Sequence, residues 1–434
     1  GYVECEQEVK WNVDMVLTDS DLSEFARMSR ILFSSTFSKM DYLIHQEEVI
    51  PKHGPGATAD KLRGNAKYRQ RTWTERLEEV FYSENFLFPN VSYYAEHYEG
   101  ISFLEPDSEI PVKVISVPKT QKTPRIIAIE PTAMQYAQQA VLEAFVREIE
   151  GHQVLNSLIG FADQGPNQAL ARKGSLTGSL ATLDLSEASD RVSWKLVQTM
   201  VGQWPNLHKA LDATRSRRAD VPGHGIISLT KYASMGSALC FPIEAMVFLT
   251  GVFLGIERSL NTQFASMRDI IPYIGSVRIY GDDIIVPVDS VDSVIYTLEH
   301  FGARVGMSKS FWNGKFRESC GKEYYDGSDV SYVKVRRTLP RSLKDVPEVI
   351  SLVSLRNQCY FAGMWGTVKW LDGKLEKLLK WFPFVHPSSS VLGRNSFLGL
   401  FDQGRFCEHL HAPLVKGWVV SSRLPKSNLD GPDA

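Results

Sequence analysis

The chain has 434 residues, which is more than one ordinary hydrophobic core holds and predicts two or three subdomains. Its hydrophobic fraction of 43% and charged fraction of 23% are typical of globular proteins and exclude a largely disordered chain. The net charge of −2 excludes an overall basic character, so any nucleic-acid site must be a local patch.

Five cysteines are scattered along the chain without a CxxC pair, which indicates reduced thiols inside a cell. The N-terminus shows no basic segment followed by an apolar run, so no secretory signal is expected. The most apolar window, residues 245–256, is too short to span a bilayer. It predicts a buried helix, and no contact with a membrane is expected.

A basic segment over residues 52–76 interleaves cations with Tyr68 and Trp73. Phosphates would bind the cations and bases would stack on the rings, so the segment is a candidate RNA contact. The candidate RNA-binding residues are Lys61, Arg63, Lys67, Arg69 and Arg71. The alternative is a solvated loop with a charged face.

Two runs of β-forming residues, 112–117 and 125–129, flank a polar turn and predict a hairpin. The turn and its second strand carry Lys119, Lys122 and Arg125, which could grip a triphosphate. They could equally belong to an ordinary edge strand, on which lysines prevent aggregation.

The segment 178–201 changes from a strand pattern to a helix pattern. Residues 180–185 predict a short apolar strand that ends near Asp184. Ser186 is expected to cap a helix with Asp190 in its opening turns. A carboxylate at the end of a buried strand needs a partner, which makes Asp184 a functional candidate. The alternative is that Asp184 merely caps the following helix.

A turn, a long helix and a hairpin are predicted next along the chain. The residues Ser-Met-Gly at 234–236 predict a turn ahead of a long apolar helix that Pro242 starts or kinks. The stretch SVRIYGDDIIVPVDS at 276–290 then predicts a hairpin of two β-branched runs.

Helices are predicted after this hairpin. Residues 291–301 predict an amphipathic helix that Gly302 stops. Residues 348–382 predict further helices with a break at Asp372-Gly373. The predicted fold class is therefore α+β, with an antiparallel sheet backed by helices on one side.

The sequence YGDD has two adjacent acids in an otherwise apolar hairpin, and a turn at this point explains how they avoid the apolar strands. Gly281 at the first turn position is typical of a type II′ hairpin and places Asp282 and Asp283 at its tip. Carboxylates this close cannot all stay ionised without a cation, and a set of oxygen ligands favours Mg²⁺ or Mn²⁺. With Asp184 they could hold two ions roughly 3.5–4 Å apart and clamp an in-line phosphoryl transfer. The alternative is a turn with two solvated acids.

Several blocks resemble the motifs of viral RNA-dependent RNA polymerases and occur in the linear order of that family. YGDD at 280–283 resembles motif C, TLDLSEASD at 182–190 resembles motif A, and SMG at 234–236 resembles motif B. PKTQKTPRIIAIEPT at 118–132 resembles motif F. DLSEASD, together with FRESCGKEYYDG at 316–327, is similar to replicases of single-stranded RNA bacteriophages, the leviviruses and their relatives.

The resemblance covers roughly residues 50–340 and implies a right-hand polymerase whose antiparallel palm sheet is backed by helices. The implied subdomains are fingers over 1–177 with part of 202–233, a palm over 178–340, and a helical thumb over 341–434. The thumb is shorter than expected of a phage replicase, so either the thumb is reduced or the sequence is partial.

The resemblance also implies roles in catalysis. Asp184 and Asp282 would bind the catalytic metals, and Asp283 would support the second ion. Lys309 matches the position of a general acid that protonates the leaving pyrophosphate. These residues would form the reacting centre.

A second group of residues is implied to bind the incoming nucleotide. The triphosphate contacts would be Lys119, Lys122 and Arg125. Asp190 and Ser234 would lie near the ribose, and Gly236 would also belong to the nucleotide-binding site. The 2′-hydroxyl distinguishes a ribonucleotide, and only a group that hydrogen-bonds it can strongly reject its absence.

The implied enzyme copies an RNA template into complementary RNA from ribonucleoside triphosphates, with two Mg²⁺ ions for which Mn²⁺ can substitute. The resemblance further implies the cytoplasm of a bacterial host and the translation elongation factors Tu and Ts as partners. One alternative is a reverse transcriptase, which shares the acid pair. Another is a catalytically inactive polymerase-like protein that binds RNA, although clustered acids repel phosphate.

Overall fold

The computed structural model describes residues 1–88, 90–118, 124–399 and 405–422. The chain divides into two compact units, of which the first comprises residues 1–116 and 126–331 and the second draws on residues 117–125 and 332–426. Helices and sheets are both present, which confirms the mixed helix-and-sheet content of the predicted class. Lys119 and Lys122 lie outside the described residues.

The described helices range from single turns to α2, which has 27 residues. They are α1 Tyr2–Trp11, α2 Asp19–His45, α3 Glu75–Glu78, α4 Ser83–Phe86, α5 Val91–His97, α6 Thr132–Glu150, α7 Leu155–Leu158, α8 Gly165–Thr177, α9 Ala188–Arg191, α10 Trp194–Val201, α11 Pro205–Thr214, α12 Cys240–Leu260, α13 Met267–Ile270, α14 Val291–His300, α15 Val346–Phe361 and α16 Trp365–Leu379. A π-helical turn at Asn12–Val16 continues α1.

The described strands are short and belong to several small sheets. They are β1 Thr72–Thr74, β2 Ser102–Leu104, β3 Val112–Pro118, β4 Pro124–Ile129, β5 Leu180–Asp184, β6 Arg218–Val221, β7 Gly225–Ser228, β8 Arg278–Tyr280, β9 Asp283–Pro287, β10 Phe316–Ser319, β11 Lys322–Tyr325, β12 Ser328–Asp329, β13 Arg405–Cys407 and β14 Ala412–Leu414. The strand orders are β1-β2, β4-β3-β6-β7, β5-β9-β8, β10-β11-β12 and β13-β14. Both strands of the hairpin predicted around residues 112–129 are confirmed.

Helix α12 lies inside the core of the first unit. Every residue from Pro242 to Glu257 is buried, because a helix that is apolar on all sides must be surrounded by other elements. Among the described helices, α12 alone is long and apolar enough to cross a membrane, and 94% of its most apolar window is buried inside the protein. The predicted buried helix is confirmed. Pro242 lies in its first turn, where the missing N–H costs no helical hydrogen bond.

The sheet β5-β9-β8 positions the predicted acids. β5 pairs antiparallel with β9, and Asp184 faces Asp283 in this register. β8 pairs with the other side of β9, so that Tyr280 faces Asp283 and Gly281-Asp282 is the whole turn. Both predicted strands and the two-residue hairpin are confirmed. The acids of β5 and β9 consequently meet at one end of the sheet.

The single helix predicted to begin at Ser186 is wrong, because the chain forms two separate helices there. Glu187 has a left-handed φ of +55°, and only the single turn α9 follows it. Val192 is extended and ends α9. Ser193, rather than Ser186, caps the next helix, α10, through its side-chain oxygen.

A tertiary pairing replaces helix continuation at this point. The backbone N–H of Tyr232 donates to the carbonyl of Val192 at 2.7 Å, and that of Trp194 donates to the carbonyl of Thr230 at 2.9 Å. These bonds satisfy backbone groups that a continuous helix would have paired internally. They also bring the α9 turn beside residues 230–232.

The second unit has its own apolar core between α15 and α16. The break predicted at Asp372-Gly373 is wrong, because α16 runs through both residues. Asp372 accepts two hydrogen bonds from the guanidinium of Arg356 on α15, at 2.8 and 3.1 Å. This bidentate pair holds the helices together and outweighs the roughly 1 kcal/mol that a glycine costs inside a helix.

Glu130 is an acid buried in the first unit directly after β4, with only 3% of its surface exposed. Its carboxylate accepts a hydrogen bond from the hydroxyl of Ser216 at 2.5 Å. Burial raises the pKa of Glu130 to about 7, although the Ser216 bond and the Arg215 charge oppose the shift. The folded chain therefore holds a proton on Glu130 at pH values where the unfolded chain has released it.

Replacing Glu130 with glutamine is expected to make stability less dependent on pH. Because the folded pKa lies above the unfolded value of 4.5, the free energy of unfolding falls as pH rises from about 4.5 to 7. The loss is on the order of 3 kcal/mol. The measurement is the difference between the urea midpoints of Glu130→Gln and of the wild-type chain. We expect this difference to favour the variant more at pH 8 than at pH 5. The matched control is Glu99→Gln, because Glu99 is exposed. A Glu130→Gln variant that shifts the urea midpoint equally at both pH values would contradict the expectation.

Candidate active site

The turn between β8 and β9 presents one acid to solvent. Gly281 has a φ of +60° while Asp282 lies outside the positive-φ region, in agreement with the predicted type II′ turn. A Cβ atom at Gly281 would overlap the ring of Phe241, so the position needs glycine for space as well as conformation. Asp282 is exposed at the tip, where it can meet a ligand from solvent.

Asp283 is held in a fixed orientation by the turn between β10 and β11. One carboxylate oxygen accepts from the hydroxyl of Ser319 at 3.3 Å, and the other accepts from the backbone N–H of Cys320 at 3.2 Å. Burial, followed by the charge of Asp282, raises the pKa of Asp283 to about 6, against the Cys320 bond, which lowers it. The FRESCGKEYYDG segment therefore orients an acid of the candidate site, which the sequence had not indicated.

Asp184 faces Asp283 and is paired with Lys309. The ammonium of Lys309 lies 3.4 Å from a carboxylate oxygen of Asp184, and its side chain remains 60% exposed. Burial raises the pKa of Asp184, while Lys309 lowers it and the Asp282 charge raises it further. The structure thus brings together Asp184, Asp282, Asp283 and Lys309, the four residues predicted for the reacting centre.

The three acids have the donor chemistry of a magnesium site. Their carboxylates supply only oxygen ligands, and the charge of Asp282 raises the pKa of both Asp184 and Asp283, as expected of acids that a cation would stabilise. Among the residues that the structure describes, no three His, Cys, Asp or Glu side chains form a ready metal-ion cluster. The carboxylates fit Mg²⁺ or Mn²⁺ because they are oxygen donors that lie at one end of the same sheet. They are not as close together as the ligands of a bound ion.

Asp190 is held by a lysine that sequence reasoning missed. The side chain of Lys231 is fully buried, and its ammonium lies 2.9 Å from the Asp190 carboxylate. Burial alone would lower the pKa of Lys231, but the charge of Asp190 and smaller contributions raise it above its usual value. Lys231 lies in LTKYASMG, and a lysine among apolar neighbours just before Ser234 is the signal that could have identified it.

The turn that carries Ser234 packs closely on β4. Ser234 is 5% exposed, and its hydroxyl lies 2.9 Å from that of Tyr2 on α1. Gly236 has a φ of +133°, and a Cβ atom there would overlap the carbonyl oxygen of Ala128. The backbone N–H of Ala128 also donates to the carbonyl of Met235 at 2.8 Å. Gly236 was predicted only as a nucleotide-binding residue, and the structure shows that it also allows the turn to pack against the backbone of β4.

The residues predicted to bind phosphates are divided by their exposure. Arg125 on β4 is exposed, as a phosphate contact requires. Four of the five candidate RNA-binding residues of the basic segment are also exposed, namely Lys61, Arg63, Arg69 and Arg71.

Two residues of the basic segment contradict the predicted RNA contact. Lys67 is 4% exposed, and its ammonium donates to the carbonyls of Gly54 and Gly56, both at 2.6 Å, so its charge stabilises the loop. Trp73 is fully buried, and its indole N–H donates to the carbonyl of Phe81, so it cannot stack on a base. Tyr68, with 69% of its surface exposed, is the ring in this pair that remains accessible.

Glu244 on α12 is a further acid that sequence reasoning missed. It is 6% exposed, and a Cβ atom at Gly281 would lie 3.3 Å from its carboxylate, which places it against the acidic turn. Burial, followed by the charge of Asp282, raises the pKa of Glu244 well above its usual range. Pro242, two residues earlier, was the residue of this helix that the sequence pattern indicated.

Comparison with protein families and curated proteins gives a consistent result. A sequence model described as RNA replicase, beta-chain, matches residues 108–369. The RNA-directed RNA polymerase subunit beta of Qbeta virus (strain MX1) is 36% identical over 277 residues, 63% of this chain and 41% of the relative. The RNA-directed RNA polymerase beta chain of Escherichia phage MS2 is 36% identical over 223 residues, 51% of this chain and 37% of the relative. The chain therefore spans less than half the length of these relatives.

Solved structures give more distant likenesses. A structure titled RdRp complex has a TM-score of 0.46 and 12% identity, and the match covers 78% of this chain and 32% of that one. The RNA-dependent RNA polymerase of a human picorbirnavirus has a TM-score of 0.42 and 11% identity, with 57% and 52% covered. Likenesses at this level do not define the arrangement of subdomains.

Proposed function

The chain belongs to the RNA replicase beta-chain family, and on that premise we propose that it catalyses template-directed synthesis of RNA from ribonucleoside triphosphates. The observation that carries the proposal is the pairing of Asp184 with Asp283 across β5 and β9, with Asp282 exposed at the adjoining turn. A solvated hairpin would have no reason to place two partly buried acids opposite one another, because each carboxylate raises the free energy of the other.

The proposed reaction is attack by a 3′-hydroxyl on the α-phosphate of the incoming nucleotide, with release of pyrophosphate. The carboxylates of Asp184, Asp282 and Asp283 would hold two Mg²⁺ ions, for which Mn²⁺ would substitute. When bound, such ions activate the hydroxyl and neutralise charge on the leaving group. The Ser319 and Cys320 bonds keep Asp283 oriented for this task, so that its reorganisation is small.

Other residues would bind the nucleotide and move protons. Lys309, with its exposed ammonium beside Asp184, would protonate the leaving pyrophosphate as a general acid. Arg125 would contact the triphosphate together with Lys119 and Lys122, which lie outside the described residues. Asp190 and Ser234 would contact the ribose hydroxyls.

The wider assignments follow from family membership and are part of the same proposal. The chain would form a right hand with fingers over 1–177 and part of 202–233, a palm over 178–340 and a thumb over 341–434. It would replicate a phage RNA genome in the cytoplasm of a bacterial host, with elongation factors Tu and Ts as partners. The exposed cations near residues 61–71 would contact the RNA.

A primer-extension assay on a short RNA template tests this proposal. With Mg²⁺ we expect incorporation of ribonucleotides over deoxyribonucleotides by roughly 10²-fold or more, because a site that hydrogen-bonds a hydroxyl rejects substrates without it. Chelation of the metal should stop the reaction, and the omission of template should do the same. Equal use of both nucleotides would identify a reverse transcriptase. RNA binding without incorporation would identify an inactive RNA-binding protein.

A further inference from the structure

The N-terminal helix α1 contacts the predicted ribose site through Tyr2. The hydroxyl of Tyr2 lies 2.9 Å from that of Ser234, and the ring centre lies 3.4 Å from the ammonium of Lys231. Tyr2 is 8% exposed, so both contacts are shielded from water. The side chain of Tyr2 thus contacts Ser234, a predicted ribose contact, and also Lys231. Lys231 in turn holds Asp190, the second predicted ribose contact.

The same helix also fixes the backbone on which these side chains stand. The thiol of Cys5 donates to the carbonyl of Asp190 at 3.3 Å. The carboxylate of Glu6 accepts from the backbone N–H of Thr230, and that of Glu8 accepts from Arg191 at 2.5 Å. Successive turns of α1 therefore hold residues 190–191 and residues 230–234. The predicted ribose site requires these two segments to keep a fixed position relative to each other.

Charge explains why an aromatic residue suits this position. The ammonium of Lys231 has no exposed surface and must be stabilised by protein groups alone. Asp190 lies 2.9 Å away, Glu6 lies 4.0 Å away, and the face of the Tyr2 ring completes the surroundings. A cation over an aromatic face is attracted most strongly where both are desolvated. The ring limits where Lys231 can move and so limits where it holds Asp190.

The hydroxyl of Tyr2 acts on Ser234 in a different way. A serine hydroxyl has one donor and two acceptor positions and rotates freely unless a partner fixes it. The Tyr2 hydroxyl occupies one of these positions and leaves the others for a ligand. A serine with a fixed rotamer presents its remaining positions in a fixed direction, which discrimination of a ribose hydroxyl requires.

We propose that Tyr2 is a positioning residue for nucleotide selection, which orients the Ser234 hydroxyl and confines the Lys231–Asp190 pair beside it. This inference rests on the proposed function, since it assigns Tyr2 to the ribose end of the same site. Tyr2 does not touch the substrate in this scheme. It acts through Ser234 and Lys231.

The variant Tyr2→Phe tests the inference, because it removes the hydroxyl and retains the ring over Lys231. We expect the preference for ribonucleotides over deoxyribonucleotides to fall by roughly threefold to tenfold, the range expected for one hydrogen bond. The KM for ribonucleotides should rise, while kcat and RNA binding stay near wild type. The ratio of the two substrates does not depend on the fraction of folded chain. Partial unfolding would therefore not imitate the result.

A double-mutant cycle with Ser234→Ala separates positioning from a general effect. If Tyr2 acts through Ser234, the loss of preference in the double variant should equal that of Ser234→Ala alone rather than the product of both losses. Tyr42→Phe, the same change on an exposed tyrosine of α2, is the matched control. An unchanged preference in Tyr2→Phe, or independent effects in the cycle, would overturn the inference. Failure of the wild-type chain to incorporate nucleotides would instead overturn the proposed function.

Discussion

Asp282→Asn is expected to abolish measurable nucleotide incorporation, a loss of roughly 10³-fold or more, as follows removal of a preorganised group that stabilises transition-state charge. Asp282 is the exposed acid of the turn, and its charge raises the pKa of both Asp184 and Asp283. Asparagine keeps the size and the turn but removes the negative charge that a metal ion requires. Steady-state incorporation of labelled ribonucleotides measures the loss.

RNA binding should survive this substitution, since an acid that repels phosphate is being neutralised. Filter binding or fluorescence anisotropy with the same template therefore separates a catalytic defect from a defect in binding. Asp292→Asn supplies the matched control, because Asp292 is an exposed acid on the neighbouring helix α14 and should leave incorporation unchanged. An active Asp282→Asn chain would remove this residue from the metal site.

The hairpin and the strand opposite it could be predicted because their signals are local. Runs of β-branched residues on either side of Gly281-Asp282 specify two strands and a two-residue turn without help from the rest of the chain. The position of Asp184 at a strand end was also visible, since a buried carboxylate needs a partner wherever that partner lies. The need of such acids for a shared cation, together with the resemblance to polymerase motifs, predicted that Asp184 lies near Asp282 and Asp283.

The helix after β5 could not be predicted because its ending is tertiary. Residues 186–197 have a helical pattern, but the backbone of Val192 and Trp194 pairs with the segment at 230–232. The local sequence around residues 186–197 contains no pattern that predicts this pairing. The same limit applies to Asp372-Gly373, where an arginine on another helix keeps α16 intact.

Charged and aromatic residues were misjudged wherever their partners were distant or were backbone groups. A lysine in a basic stretch looks like a phosphate contact, yet Lys67 donates to the carbonyls of a nearby glycine-rich loop. Lys231 shows the opposite case, as an unremarked cation that is fully buried against a predicted ribose contact. Composition reveals that a charge is present, whereas its role depends on which groups the fold places around it.

Gly236→Ala is expected to lower the free energy of unfolding by roughly 2–6 kcal/mol and to abolish incorporation with it. The backbone at Gly236 has a φ of +133°, which side chains other than glycine rarely adopt. The added Cβ atom would also overlap the carbonyl oxygen of Ala128 on β4. Relief of that overlap requires the turn holding Ser234 to move away from β4, and the Ala128–Met235 hydrogen bond would then be lost.

Gly223→Ala distinguishes the two causes in this prediction. Gly223 has a φ of +80°, but a Cβ atom there would meet nothing within 4 Å, so this variant carries the backbone strain without the overlap. We expect Gly223→Ala to shift the thermal midpoint modestly and to retain incorporation. The excess effect of Gly236→Ala over this control measures the close approach of the Ser234 turn to β4 together with the greater strain at a φ of +133°. Equal midpoints and equal incorporation in the two variants would show that this approach contributes nothing, because strain alone would then account for both.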